Sequence, residues 1–466
     1  MRGLTDLLGP AKVLGARDDL LLYEYDGAVD TATPDAVVLP DTTADVAALA
    51  RFCHRHAVPI VPRGAGTGLS GGAIPVEGGV VVSFARMTRI LEIDVPNLRA
   101  VVQPGVVNLQ LGTAAAPYGL HFVPDPSSQK ACTLGGNVAE NSGGPHTLAY
   151  GVTTNHVTGL EIVLSDGTIT RLGGKALDYE GYDLAGVFVG SEGTLGLVTE
   201  ITVKLTPLPE DKRTLMAAFA TMDAASETVS AIIAAGIVPS SIEMMDQLAT
   251  EAVEAAVGAG YPLDAGGILL VDVDGPREGL DELRARIEAI CRDNGATTVR
   301  IALTALERER LWAGRKGAFA AMGRLSPDYY VQDGVIPRTR LPEILRLVKE
   351  AGQRHGLRVA NVFHAGDGNL HPLILFDSRN GPAELERAKA AGLEILTACV
   401  EAGGSITGEH GIGMEKNCYM PLQFSGADLA AMRRVKDAFD PVGLMNPGKV
   451  FPTPSRCREF TLAAAR

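Results

Sequence analysis

The sequence predicts an α+β protein in which a first domain of strands and short helices precedes a second domain of strands and longer helices. Two observations carry the prediction. Through about residue 205, short apolar runs keep ending in glycine-dense loops; from Leu215 onward these give way to strands alternating with longer helical patterns. With 466 residues, 46% hydrophobic and 21% charged, the chain can bury substantial cores in about two or three domains.

Residues 1–33 carry a weak helical pattern and read as an N-terminal arm. A short strand is expected at 36–40. Thr42-x-x-Asp45 can cap the next helix, because the two side chains satisfy its first N–H groups reciprocally, and Val46, Leu49, Ala50, Cys53 and Ala57 form its apolar face. Val58-Pro59-Ile60-Val61 then enters Pro62-Arg63-Gly64-Ala65-Gly66-Thr67-Gly68-Leu69-Ser70-Gly71-Gly72, so a strand–helix–strand unit delivers this loop at a strand end. Strands at 79–84, 91–94 and 100–103 precede a small helix at 107–116. Residues 133–144 and 151–157 hold too many glycines and hydroxyls for regular helix, and 160–164 with 167–171 reads as a hairpin around Ser165-Asp166. The run 183–189 leads to a glycine turn at 190–196 and a strand at 197–205, and Pro207 and Pro209 mark the end of the first domain near residue 210. Strands near 215–220, 241–245, 267–273 and 297–302 then alternate with helices near 223–235, 246–259, 277–294 and 304–322. A last helix at 428–439 precedes Asn446-Pro447-Gly448-Lys449. The expected division is 1–33, 34–210, 211–420 and 421–466.

Glycine lacks a Cβ and adopts positive φ, so in the 62–72 loop successive N–H groups can converge on one anion. The stretch lacks the lysine of G-x-x-x-x-G-K-[ST], and no G-x-G-x-x-G pattern opens a helix here. Taken alone it is as consistent with a plain surface turn as with a phosphate cradle. Three further clusters favour the cradle: Pro124-Asp125-Pro126-Ser127-Ser128, Thr133-Leu134-Gly135-Gly136-Asn137 and Gly190-Ser191-Glu192-Gly193-Thr194-Leu195-Gly196.

The formal net charge of −13 argues against a broad basic face for nucleic acid or an anionic membrane. No apolar run approaches the roughly 20 residues that cross a bilayer, and residues 1–15 lack a basic start and a continuous apolar stretch, so a cytoplasmic protein is expected. Cys53, Cys132, Cys291, Cys399, Cys418 and Cys457 are scattered without C-x-x-C pairs or zinc-like spacing. They are expected as reduced thiols, and their dispersal argues against an iron–sulfur cluster in this chain.

The glycine clusters resemble the FAD-binding domain of the vanillyl-alcohol-oxidase class, the PCMH type. Phe363-His364-Ala365-Gly366-Asp367-Gly368-Asn369-Leu370-His371, Thr407-Gly408-Glu409-His410-Gly411-Ile412-Gly413 and Asn446-Pro447-Gly448-Lys449 extend the resemblance over nearly the whole chain. They resemble the FAD-linked D-2-hydroxy acid dehydrogenases, most closely the glycolate oxidase branch. The resemblance implies a substrate (cap) domain over 211–420 and a C-terminal segment that returns to the FAD domain. It implies FAD held by Arg63, Gly64, Ala65, Gly66, Thr67, Gly68, Ser70, Gly71 and Gly72, by Pro126, Ser127, Ser128, Thr133, Gly135, Gly136, Asn137, Ser142 and Gly143, and by Glu192, Gly193, Gly196 and Val198, with Asn446 and Lys449 at the flavin edge. Members with a covalent flavin often carry a histidine in the first loop; Thr67 stands there, so non-covalent FAD is expected.

His364 and His371 flank a turn-prone tetrapeptide, and a hairpin there would bring both imidazoles together, a pairing that suits zinc, manganese or iron. Two histidines alone are more often core or surface residues. Glu409 supplies the carboxylate of the family pattern, so the resemblance implies a divalent metal (Zn, Mn or Fe) on His364, His371 and Glu409 with open positions for substrate. An unperturbed pKa of about 6.5 suits His410 to general-base work. The resemblance makes it the acceptor of the substrate's hydroxyl proton; a fourth metal ligand or a helper that orients Glu409 are the alternatives. Arg315 matches the family arginine that grips the substrate carboxylate, for which a planar guanidinium fork is well shaped. Spacing alone would instead put it on a solvated helix face with Arg308, Arg310 and Lys316.

The implied activity is FAD-dependent oxidation of a small 2-hydroxy acid, glycolate with D-lactate as a second substrate, to the 2-oxo acid by the catalytic subunit of a complex. Family members acting on 2-hydroxyglutarate carry a lysine where this chain has Val331-Gln332-Asp333-Gly334, which disfavours a second substrate carboxylate. A self-sufficient D-2-hydroxy acid dehydrogenase and a non-catalytic flavin-holding subunit are the rival readings. The implied partners are a second FAD-domain subunit and an iron–sulfur subunit, with peripheral attachment to the inner face of the membrane through them.

Overall fold

Two small sheets carry the glycine loops, and one large sheet carries the longer helices. The computed structural model describes residues 1–176, 181–453 and 457; the end of the expected C-terminal segment, 454–456 and 458–466, lies outside the described residues. The chain divides into a unit formed by Met1–Gly143, Gly151–Leu208 and the chain from Glu409 onward, and a unit formed by Gly144–Tyr150 and Pro209–Gly408. Glu409 and His410 thus cluster with the first unit although they fall inside the expected 211–420 domain.

In the first unit, Ala36–Val38, Val80–Ser83 and Ile60–Arg63 form parallel neighbours, and Val13–Leu14 adds antiparallel at the edge. From the segment 1–33, Leu4 and Val13 are buried in the same core as Val38, Ile60 and Val82. Thr42 and Asp45 form the capping box of helix Thr43–His56, which buries Val46, Leu49, Ala50 and Cys53. Ala57 leaves the expected apolar face: it adopts φ 51° and ends the helix. The second sheet is antiparallel, in the order Ile90–Asp94, Arg99–Val102, Leu197–Lys204, Val157–Val163 and Ile169–Gly173. One helix, Leu134–Glu140, stands where glycine content argued against helix. Thr133 caps it through the N–H of Gly136, and burial of Leu134 and Val138 outweighs the glycine penalty.

The second unit has one branched sheet. Its main path runs Ala296–Ile301, Asp211–Phe219, Gly267–Gly275, Ser241–Asp246, Arg358–His364, Asn369–Leu370 and Gly334–Val335; Pro372–Phe376 pairs with both Arg358–His364 and Asp328–Val331. Helices Met222–Ala234, Gln247–Val257, Leu280–Asp293, Leu341–Arg354 and Pro382–Glu401 pack on these strands and on one another. The helix expected over 304–322 breaks at Gly317 into Ala305–Lys316 and Ala318–Ala321. Tyr150 donates to Asp274 at 2.9 Å and His146 stacks on Trp312 with ring centroids 6.3 Å apart, which explains why Gly144–Tyr150 joins this unit.

The cysteines require one correction. Cys418 and Cys457 are joined by a disulfide, while Cys53, Cys132, Cys291 and Cys399 are free and buried. The 39-residue separation of the bridged pair is invisible to a search for closely spaced motifs. Among the described residues, no helix is long and apolar enough to cross a membrane.

Candidate active site

Strand Ile60–Arg63 ends with its last side chain turned back into the fold. Arg63 Nη1 donates to the Tyr25 carbonyl at 2.5 Å, and the guanidinium lies 5.6 and 5.9 Å from the rings of Tyr23 and Tyr25, so this side chain is scaffold. Beyond it, the N–H groups from Ala65 to Ser70 make no hydrogen bond among the described residues. The hydroxyl of Ser70, fully buried, also lacks a partner. Backbone donors in a row, most of them half-buried and none of them paired, fit an anion such as a pyrophosphate.

The other clusters converge on this loop. A Cβ at Gly64 would stand 2.4 Å from Thr133 Oγ1, and one at Gly193 2.2 Å from Pro62 Cγ, so backbones approach where no side chain fits. Gly135 donates to the Pro104 carbonyl at 2.8 Å, and Pro124 accepts from Asn108 Nδ2 at 2.9 Å, which ties the 124–128 and 133–137 segments together. Asn137 is part of the same scaffold, its Oδ1 accepting from Asn108 Nδ2 at 3.0 Å. The Ser142 carbonyl accepts from the N–H and hydroxyl of Thr153, Gly143 is buried, and Val198 pairs across the sheet with Ile162. Pro126 and Ser128 are half-buried and Ser127 is exposed. From the C-terminal segment, Asn446 Nδ2 donates to the carbonyls of Gly72 and Glu192 at 2.9 and 2.7 Å, and Lys449 Nζ to that of Ile74 at 2.6 Å. Both side chains hold the glycine loops in shape.

Glu192, expected among the cofactor contacts, has its carboxylate engaged elsewhere: it accepts the N–H groups of Ile412 and Gly413 at 2.7 and 2.6 Å. Burial raises its pKa, while those two N–H groups, Lys416 and Lys449 pull it down. Burial, Glu192 and Asp26 push the carboxyl of neighbouring Glu140 well above its usual range, with Lys416 and Lys449 opposing.

In the second unit the His364–His371 turn forms as the spacing predicts, with ring centroids 5.1 Å apart and planes nearly perpendicular. Gly368 takes φ 81°, and a Cβ there would stand 2.2 Å from the Ile336 carbonyl. Both histidines are buried. Glu243 lies directly across from His364 in the sheet and places its Oε1 2.8 Å from His364 Nδ1. Asp333 places Oδ1 3.4 Å from His371 Nε2, and its Oδ2 accepts from Thr407 Oγ1 and the Gly408 N–H. Two imidazoles, each backed by a carboxylate, have the donor chemistry of a divalent-metal site.

Arg315 is not on a solvated face. It is 1% exposed and pairs through Nη2 with Glu243 Oε2 at 2.5 Å, while its Nε has no partner. Its helix is drawn in by Gly314, where a Cβ would meet the Tyr261 ring at 2.7 Å, and by Trp312, whose indole donates to Asp272 at 2.9 Å. Glu409 and His410 follow Gly408 directly, with His410 Nε2 4.0 Å from Glu409 Oε1 and both side chains 13% exposed. Asp333 holds the chain before them, and Glu192 holds it after them. Glu243 and Asp333 escaped the sequence reading; the signal was there, since a charged residue in the apolar run Ser241–Asp246 needs a buried partner.

Comparison with known proteins agrees with this geometry. Residues 34–173 match the family described as "FAD binding domain", and residues 208–450 match "FAD linked oxidases, C-terminal domain". The chain is 51% identical over 450 residues to "Glycolate oxidase subunit GlcD" of Escherichia coli (strain K12), covering 96% of this chain and 90% of the relative. It is 44% identical over 457 residues to the protein of the same name in Bacillus subtilis (strain 168), covering 98% and 97%. Among solved structures, p-cresol methylhydroxylase with substrate bound superposes with a TM-score of 0.83 at 19% identity, covering 96% of this chain and 95% of that one, a likeness of fold. A glycine-lined set of loops with unpartnered donors, ahead of a large sheet carrying a buried histidine pair, thus belongs to a flavoprotein oxidoreductase, and the chain is a member of the FAD-linked oxidases.

Proposed function

We propose that this protein oxidises glycolate, with D-lactate as a second substrate, to the 2-oxo acid as the catalytic flavoprotein subunit of a complex. The observation that supports it most is the buried group His364, His371, Glu243 and Arg315, which combines two metal-type ligands with a guanidinium whose Nε is unpartnered. A buried guanidinium donor left without a hydrogen-bond partner is costly, so it suits a bound ligand better than a purely structural core.

The loops at 62–72, 124–128, 133–137 and 190–196 hold FAD without a covalent bond, since Thr67 offers no imidazole. His364, His371 and Glu409 hold a divalent ion. When bound, FAD supplies a two-electron acceptor and the ion supplies Lewis acidity toward the α-hydroxyl oxygen. Arg315 engages the substrate carboxylate through its free donor and so fixes which face of Cα is presented. His410 accepts the hydroxyl proton, flanked by Gly411, whose φ of 83° lets the backbone turn closely there. Carbon loses one hydrogen with its electron pair and oxygen loses a proton, which balances the conversion of a 2-hydroxy to a 2-oxo acid.

Electrons leave this chain through partners, a second FAD-domain subunit and an iron–sulfur subunit, with membrane attachment at the cytoplasmic face through them. Both relatives compared above carry the word subunit in their names. The test is anaerobic mixing of purified protein with D- and L-2-hydroxy acids, with metal content measured on the same sample and the flavin released by acid. Bleaching by glycolate, loss of bleaching on metal removal and release of free FAD are expected. No bleaching by any 2-hydroxy acid overturns the catalytic reading.

A further inference from the structure

The carboxylate of Glu243 is 1% exposed and serves two side chains: His364 Nδ1 lies 2.8 Å from Oε1 and 3.0 Å from Oε2, and Oε2 also faces Arg315 Nη2 at 2.5 Å. Three elements fix the arrangement: strand Ser241–Asp246 carries Glu243, strand Arg358–His364 carries its cross-strand partner, and helix Ala305–Lys316 carries the arginine in its last turn. A carboxylate against Nδ1 favours the His364 tautomer that carries its proton there, which turns the Nε2 lone pair away from Glu243. The same carboxylate lies against Nη2 as an ion pair, and Nε, like Nη2, makes no hydrogen bond.

We propose that Glu243 is a positioning residue that prepares His364 as a metal ligand through Nε2 and orients Arg315 so that Nε faces the substrate carboxylate. This rests on the metal and substrate roles proposed above and adds a common cause for both. Neither group is oriented alone, so one substitution acts on metal affinity and on substrate binding together.

The test compares wild type, Glu243→Gln and Glu243→Asp as FAD-loaded, metal-stripped proteins titrated with manganese chloride and followed by calorimetry, with glycolate-driven flavin reduction measured on the reloaded samples. The expected loss for Glu243→Gln is about 10- to 100-fold in manganese affinity, together with a raised KM, and Glu243→Asp recovers part of both. The Asp variant keeps the charge, so it serves as the readable case should the Gln variant fail to fold. Wild-type manganese affinity in both variants overturns the proposal while leaving the metal reading intact. A wild-type protein that binds no manganese or other divalent ion overturns the metal reading itself, and the proposal with it.

Discussion

Glu192 accepts the backbone N–H of Gly413 at 2.6 Å, and with Ile412 this anchors the segment that follows His410 to the turn that carries Glu192. Glu192 itself adopts φ 53°, an uncommon conformation for a residue with a Cβ, so the turn is strained in favour of this bond. Glu192→Ala leaves two N–H groups orphaned at about 1–3 kcal/mol each. The expected result is a lower urea midpoint and earlier FAD release, read by flavin fluorescence along the unfolding curve. An unchanged midpoint would show that the bond carries no weight.

Asp246 ties two strands and a helix together: it caps helix Gln247–Val257 through the N–H of Ala249 and accepts both the N–H and the side-chain amide of Asn361. Burial pushes its carboxyl from 3.8 to about 6, against the pull of those donors. A raised pKa means that the folded protein holds this proton more tightly than the unfolded chain. The contribution therefore favours folding fully below the unfolded value and is lost as pH rises through about 6, on the order of 1–3 kcal/mol. Melting curves from pH 4 to pH 8, as a wild-type minus Asp246→Asn difference, should fall across that window. A flat difference would assign the pH dependence to other groups.

The thiols give a count. Burial pushes Cys53, Cys291 and Cys399 up to about 12, so the native protein should react negligibly with a thiol reagent at pH 8. Denaturation without reductant should expose the four free thiols, and prior reduction all six. Six reactive thiols without reductant would rule out the Cys418–Cys457 bond.

What the sequence made legible follows from local physics. The Thr42/Asp45 capping box, the hairpin around Asp166 and the first four strands of the second unit were readable because cap, turn and period all agree within a few residues. The His364–His371 turn was readable for the same reason. What was missed depends on residues far apart in the chain: Glu243 meets His364 across 121 positions, and Asp333 meets Gly408 across 75. Helix Leu134–Glu140 was hidden by glycines that are tolerated because Gly135 and Gly136 pack against Pro104 and Thr133. Arg315 shows the limit of periodicity. Its neighbours Arg310 and Lys316 are exposed, and only its depth against Tyr261 and Glu243 distinguishes it.

Arg315 also yields the most discriminating prediction, because its place in the buried ion pair and its proposed grip on substrate separate by substitution. Removing one partner of a buried ion pair leaves an uncompensated charge, so Arg315→Met should cost about 3–5 kcal/mol of stability by stranding Glu243. It should also remove a charge-assisted bond to the substrate carboxylate worth about 1.5–3 kcal/mol, a fall in kcat/KM of about 10- to 150-fold. Arg315→Lys keeps the charge beside Glu243 but loses the fork, so stability should largely return while kcat/KM recovers only in part. Adding Glu243→Gln to Arg315→Met removes the stranded charge and should restore much of the melting temperature without restoring activity. The two measurements must diverge for the arginine to act on substrate. If kcat/KM follows the melting temperature across all three variants, Arg315 serves the fold alone, and the substrate carboxylate is bound elsewhere.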